Sequence, residues 1–283
     1  LKVVHFLINT NIYISLAAVA LTVETQLQLG MPPQWHPYLF IIFFATLFDY
    51  NLHRLVTVLS NKEALNSDKH KWLKEYLNLF YALVAFSVMG FLIAVYFAKK
   101  EVLITLSPFA FITLFYSLPV FKNQKYLFRL REIPILKIFL ISIVWSATTI
   151  LLPIVQSGKS FDFLHVSLML IERFLFVFAI AIPFDIRDMQ GDEQSGLKTI
   201  PLVIGVKKSM NLANALIMLF LIVSLLHYYD SVSFILLAFA LSAISTLFIL
   251  NSKSLQKWSF YHYGILDGTM LLQGALVLIF HFL

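Results

Sequence analysis

Three carboxylates stand at i, i+3 and i+7 in the segment Phe184-Asp185-Ile186-Arg187-Asp188-Met189-Gln190-Gly191-Asp192. On a continuous helix this spacing stacks Asp185, Asp188 and Asp192 on one face. Carboxylates gathered so closely repel one another, and a cation is the natural compensation. An all-oxygen donor set suits Mg²⁺ or Ca²⁺. The plainer alternative is a solvated acidic loop with Arg187 as local partner; Pro183 and Gly191 allow a kink or an early helix end. A second group holds Asp49, Asn51, His53 and Arg54. Asp49 and His53 are four apart and share a helix face. Asp49 closes a long apolar run, where a carboxylate is costly unless it is paired or ligates; pairing with Arg54 or a Lys is the alternative. Two metal-competent groups at one membrane face suggest a diphosphate held between them, because Mg²⁺ commonly bridges carboxylates and substrate phosphates. Lys122, Arg131 and Lys137 would supply the basic side of such a site, Arg as a fork for phosphate oxygens and Lys as a point charge. The same cations also fit plain topology-setting charge.

These residues need elements to hold them. The 283 residues are 60% hydrophobic and 13% charged, about half the charge density of a soluble domain. That is too much apolar surface for one water-soluble core. The composition excludes a disordered chain, and the absence of Cys excludes a disulfide scaffold and a Cys zinc site. Nine apolar stretches are long enough to cross a bilayer: 5–28, 37–60, 74–98, 101–121, 134–156, 163–185, 208–228, 231–250 and 259–282. They are apolar on all sides, which favours helices over a β-barrel. The first is read as a spanning helix and not as a cleaved signal core, since it carries Asn9, Asn11 and Glu24. The expectation is an all-α integral membrane protein, one transmembrane domain over 1–283.

Charge sets the orientation. The N-terminal end and the stretches between helices 2–3, 4–5, 6–7 and 8–9 hold 17 of the 21 Lys and Arg; the opposite loops hold Lys99, Lys100 and Lys159. By the positive-inside rule the N-terminus is cytoplasmic, and nine helices put the C-terminus outside. Both acidic groups then fall on the cytoplasmic face. The net charge of +6 is scattered between apolar runs, a pattern unlike a nucleic-acid-binding face, and no nucleic-acid partner is expected.

Taken together, these residues resemble the UbiA superfamily of intramembrane prenyltransferases. The family's second motif stands here as Asp185-x-x-Asp188-x-x-x-Asp192, followed by Gly196-Leu197-Lys198-Thr199-Ile200-Pro201-Leu202-Val203-Ile204-Gly205. Tyr116-Ser117-x-Pro119-x-x-Lys122, Ile133-Pro134-x-x-Lys137 and Tyr263-x-x-x-Asp267 are similar to further family elements. The first motif, N-x-x-x-D-x-x-x-D, departs: its positions are Ala45, Asp49 and His53, so only the middle carboxylate is kept. The resemblance implies nine helices in one bundle around a central cavity open toward the cytoplasm, in a bacterial inner membrane. It implies transfer of a prenyl group from an isoprenoid diphosphate to an aromatic or lipid acceptor. Mg²⁺ would be held by Asp185, Asp188, Asp192 and Asp49, with His53 as a further ligand, and the diphosphate by Lys122, Arg131 and Lys137. No catalytic base is assigned. The eroded first motif keeps open a non-catalytic member that binds isoprenoid lipid or acts as a scaffold. A transporter would show paired broken helices and related halves, which are not seen.

Glu172 and Arg173 lie near the middle of the sixth stretch, where charges normally face a cavity or a partner. They fit an acceptor pocket or an interhelical pair. Asn9 fits the same pocket or an interhelical hydrogen bond. Asp267 fits a partner of Arg173 or of a Lys, or a substrate contact. His5, His165 and His281 are expected at the membrane interfaces.

Overall fold

The computed structural model describes residues 2–60, 68–117, 121–123, 126–128, 130, 133, 135–194, 196–229 and 234–283. Helices dominate. They are α1 (Lys2–Asn9), α2 (Ile12–Gln28), α3 (Pro37–Ser60), α4 (Asp68–Glu75), α5 (Leu77–Phe97), α6 (Lys100–Ser117), α7 (Leu136–Ser157), α8 (Phe163–Gln194), α9 (Ile200–Ile204), α10 (Val206–His227), α11 (Phe234–Asn251) and α12 (Asp267–Phe282). A short antiparallel pair, β1 (Phe121–Asn123) and β2 (Tyr126–Phe128), sets Lys122 opposite Leu127 between α6 and α7. A π-helical turn, Tyr261–Leu266, leads into α12.

Polarity is arranged for lipid. Leu92 and Ile93 of α5, Leu226 of α10 and Ile244 and Phe248 of α11 are exposed, while Glu24, Asn51, Arg173 and Gln273 are buried. In a bilayer this order is favourable: apolar side chains meet acyl chains, and polar groups find partners between helices. Close backbone approach is needed where α12 crosses α2. A Cβ on Gly274 would lie 2.7 Å from the carbonyl oxygen of Ala20, so the small residue sets that contact.

Among the described residues seven helices are long and apolar enough to cross a membrane, or eight if the bent pair Lys2–Asn9 and Ile12–Gln28 counts as one span. The stretch expected as one straight helix over 5–28 bends by 79° at this break. The cause is local. Asn11 takes a left-handed backbone conformation, φ 62°, which Asn tolerates better than most residues. Its side chain is then held across the bundle: Asn11 Nδ2 donates to Asn51 Oδ1 at 2.9 Å, and Arg54 donates to the Asn11 side-chain oxygen. Asn51 Nδ2 donates to the Thr10 carbonyl at 3.0 Å, and Arg54 donates to the Asn9 carbonyl at 2.6 Å. Asn11→Ala should therefore cost about 3–4 kcal/mol, from roughly 1–2 for the left-handed backbone and about 1 for each of the two lost side-chain bonds. Asn11→Gly keeps the backbone and loses only the bonds. Thermal unfolding of the two variants in detergent separates the contributions; equal losses would show that the backbone carries no strain.

Candidate functional site

The acidic face survives intact because α8 runs from Phe163 to Gln194 without a break at Pro183 or Gly191. Its 32 residues span about 48 Å, more than the roughly 30 Å of hydrocarbon. The acidic last turns thus extend beyond the apolar part while remaining helical. Gly196, with φ +72°, ends the helix in the left-handed conformation that closes many helix C-termini. The Leu197 amide then bonds back to the Asp192 carbonyl at 2.9 Å.

Lys137 is brought to this face by the segment that follows it. The Ile135 amide donates to the Lys198 carbonyl at 3.0 Å, so the start of α7 is tied to the chain between α8 and α9. Lys137 Nζ then meets Asp185 Oδ1 at 2.8 Å and Asp192 Oδ2 at 3.4 Å. One ammonium thus bridges carboxylates two helical turns apart. Asp188 lies within electrostatic reach of the same ammonium and takes both bonds of the Arg187 guanidinium, 2.7 and 2.9 Å. Arg187 in turn stacks between the rings of Phe184 and Tyr263, 5.1 and 4.6 Å from their centroids. The π-helical turn presents Tyr263 there, and its His262 bonds to the Pro183 backbone.

The two acidic groups of the sequence meet through their neighbours. Tyr50, next to Asp49 on α3, lies within electrostatic reach of Asp49, Asp267 and Tyr116. Asp267 reaches Arg187 and Arg54, and Tyr116 reaches Lys137. Tyr116, Tyr263 and Asp267 therefore lie near the carboxylate face, where spacing alone gave them no role, and Arg187 is the local partner of the acidic segment that the sequence offered. The sequence signals for them are family-like short elements and, for Arg187, its place inside the acidic motif. His53 follows Asp49 by one turn of α3. Lys122 lies in β1, and Arg131 lies outside the described residues.

The donors fit a cation. They are all oxygen, and two of them already converge on one positive charge, the Lys137 ammonium, which stands where a bound cation would compensate the same carboxylates. Among the described residues no three His, Asp or Glu side chains are gathered closely enough to enclose a metal by themselves.

Glu172 and Arg173 are placed elsewhere. They lie 13 and 12 residues before Asp185 on α8, roughly 20 Å along the axis. Arg173 pairs with Glu24 of α2 at 2.8 Å and also bonds to Thr149 and to the Leu21 carbonyl. Asn9 serves through its carbonyl, which accepts from Arg54. A cleft of about 320 Å³ opens at the end of the bundle opposite the carboxylates, lined by residues including Gln34, His36, Lys99 and Lys159.

A model of the UbiA prenyltransferase family matches residues 75–265, more than half of the chain. No curated protein matches it in sequence. Solved structures share the fold at low identity. A UbiA homolog from Aeropyrum pernix superposes with TM-score 0.63 at 15% identity, covering 98% of this chain and 98% of that one. A UbiA homolog from Archaeoglobus fulgidus, bound to DMAPP and Mg²⁺, gives 0.62 at 12% identity, over 97% of this chain and 99% of that one. A structure described for digeranylgeranylglyceryl phosphate synthase gives 0.54 at 16% identity, over 97% and 95%.

Proposed function

The chain belongs to the UbiA prenyltransferase family, and from that premise we propose that it moves a prenyl group from an isoprenoid diphosphate to an aromatic or lipid acceptor inside the membrane. The observation that carries this is the convergence of Lys137 with Asp185 and Asp192 on one face of α8, with Asp188 between them. The homolog bound to DMAPP and Mg²⁺ supports the donor class and the divalent ion.

Asp185, Asp188, Asp192 and Asp49 would hold Mg²⁺, with His53 as a further ligand. When bound, the ion supplies positive charge to the departing diphosphate oxygens. Lys137, with Lys122 and Arg131, adds fixed positive charge to the same oxygens. The allylic C–O bond breaks, and its electron pair leaves with the diphosphate. The acceptor atom forms a bond to the freed carbon and gives up one proton. Tyr263 and Phe184 hold Arg187 in place, so the cation beside Asp188 is fixed before substrate arrives. The allylic cation left behind must be kept from water, which would capture it as an alcohol, and a site inside the bundle would do so.

In this proposal nine spans form one domain over residues 1–283, around a central cavity open to the cytoplasm. The N-terminus is cytoplasmic and the C-terminus is outside, in a bacterial inner membrane, with lipid around the bundle. The direct test is diphosphate release by purified protein, with donors from DMAPP and geranyl diphosphate to longer polyprenyl diphosphates. A panel of aromatic and lipid acceptors is supplied, with Mg²⁺ or with chelator. Mg²⁺-dependent release is expected. No release, together with no Mg²⁺-dependent binding of a non-hydrolysable donor analogue, would reject the proposal.

Lys137→Met should lower diphosphate release by about 10²-fold, the scale of one preorganised charge at a leaving group. The same variant removes a cation that competes for Asp185 and Asp192, so Mg²⁺ titration without substrate should show tighter binding. Unchanged release would place Lys137 outside the chemistry. A second reading, a non-catalytic lipid-binding or scaffold member, draws on Ala45 and His53 standing where the family motif has Asn and Asp. Ala45→Asn combined with His53→Asp should raise a weak transferase activity and leave a scaffold silent.

A further inference from the structure

At the end of the bundle away from the carboxylate face, three titratable side chains are joined in series. Glu172 Oε1 meets His227 Nδ1 at 2.9 Å. His227 Nε2 meets His165 Nδ1 at 2.7 Å. His165 Nε2 meets the Gln28 carbonyl oxygen at 3.1 Å. The side chains of Glu172 and His227 are only 2% and 4% exposed, whereas His165 is half-buried in the first turn of α8, beside the exposed Phe163 and Leu164. The series thus runs from the buried interior to the surface over two helical turns, about 10 Å.

Hydrogen-bond accounting fixes what this chain contains. The Gln28 carbonyl is an acceptor only, so His165 Nε2 carries a proton. With His165 neutral, its Nδ1 is an acceptor and His227 Nε2 must donate. His227 Nδ1 then faces Glu172 with either a lone pair or a second proton. A lone pair facing a carboxylate would leave a buried repulsive contact and an uncompensated charge. The contact is therefore made either by a protonated Glu172 donating to neutral His227 or by a doubly protonated His227 donating to the carboxylate. A third arrangement places the extra proton on His165, with His227 neutral and donating to Glu172 through Nδ1. In every arrangement the three groups together hold one proton more than a carboxylate and two neutral rings. Among the described residues, the cationic partners that act on Glu172 are His227 and Arg173. Arg173, the neighbouring cation on α8, is engaged by Glu24 of α2. The other groups that face the series are Asp162 near His165, Ser224 of α10 near Glu172, and Tyr228, which accepts from Gln28 Nε2 at 2.9 Å. Glu172 Oε2 is buried without a hydrogen-bond partner, an arrangement that costs less for a neutral carboxyl group than for a carboxylate.

We propose that Glu172, His227 and His165 form a proton-exchange site, a relay that stores one proton and passes it between the interior beside the Glu24–Arg173 pair and water at the surface opposite the carboxylate face. Each transfer balances. The Glu172 proton moves to His227 Nδ1 as the His227 Nε2 proton moves to His165 Nδ1. This leaves a carboxylate, a neutral His227 and a His165 imidazolium. His165 then turns its Nε2–H off the Gln28 carbonyl and gives that proton to water; a proton taken back at Nε2 restores the imidazolium, and the two transfers run in reverse. A purely structural lock would need only the Glu172–His227 bond; the ordered link onward to a half-exposed ring is what makes a path. This site is independent of the prenyl-transfer proposal.

The test uses full-length protein labelled with ¹⁵N-histidine in lipid, read by nitrogen NMR together with the infrared carboxyl stretch. Glu172→Gln, His227→Asn and His165→Phe give the assignments. One excess proton is expected, seen as a protonated Glu172 carboxyl group or as one imidazolium ring. A Glu172 carboxylate beside two neutral rings overturns the proposal. On transfer to D₂O, the buried His227 ring proton should exchange at least tenfold more slowly in His165→Phe than in the wild type. His165→Gln, which keeps a polar group at the surface but cannot relay a proton, should slow it equally. Unchanged exchange in both variants also overturns the relay.

Discussion

Asp188→Ala is expected to reduce Mg²⁺-dependent diphosphate release by about 10³-fold, the upper range for removal of one preorganised charge-stabilising group. Asp188 is the middle member of the α8 face, between the two carboxylates that share Lys137. It also holds Arg187 through two bonds. Its loss would remove an oxygen pair proposed to hold Mg²⁺ and would free a guanidinium to swing toward the remaining carboxylates. Both effects act on the charge that must develop on the leaving group. Asp188→Asn keeps the shape but not the charge, so it should fall nearly as far. Each variant is compared by single-turnover release at saturating donor. If Asp188→Ala retained a tenth of wild-type activity, the α8 face would not be the ionisation site.

The largest stability effect is expected at Arg173. Its guanidinium is 2% exposed and its partner Glu24 is fully buried. It makes bonds to the Leu21 carbonyl at 2.9 Å, to Thr149 at 2.8 Å and to Glu24 at 2.8 Å, with longer contacts to Thr25 and Gln28. Gln273 of α12 donates to the same Glu24 oxygen at 3.1 Å. Arg173 therefore joins α2, α7 and α8, and through Glu24 also α12. Arg173→Met strands a buried carboxylate and should cost about 3–5 kcal/mol. Pairing it with Glu24→Gln should recover a large part, because the cost lies in the uncompensated charge. Arg173→Lys should recover little, since one ammonium lacks the planar fork that meets these acceptors together. Unfolding in mixed micelles measures all four proteins. Equal stability of Arg173→Met and the double variant would mean that packing, not charge, dominates at this position.

The sequence by itself determined the parts that depend on neighbours along the chain. The apolar runs marked the seven or eight described helices long and apolar enough to cross a membrane, though the stretch over 101–121 is not among them, and the i, i+3, i+7 spacing put Asp185, Asp188 and Asp192 on one face. Helical periodicity is local, so α8 needed nothing else to show it. Even there, Pro183 and Gly191 left open an early end that packing of α8 against its neighbours overrides. The tertiary structure decided what depends on pairs far apart. Arg173 finds Glu24, 149 positions away, where Asp267 was one candidate partner; Asp267 instead joins the carboxylate end near Arg187. His165, expected simply at an interface, meets His227 across 62 positions. The first apolar stretch looked continuous because hydropathy does not register a single left-handed residue; the break at Asn11 is held by Asn51 and Arg54, 40 and 43 positions on. Polar side chains inside a bundle are satisfied by whichever helices lie beside them. Local pattern sets which residues face inward, and only the packing of helix against helix sets which inward-facing groups meet.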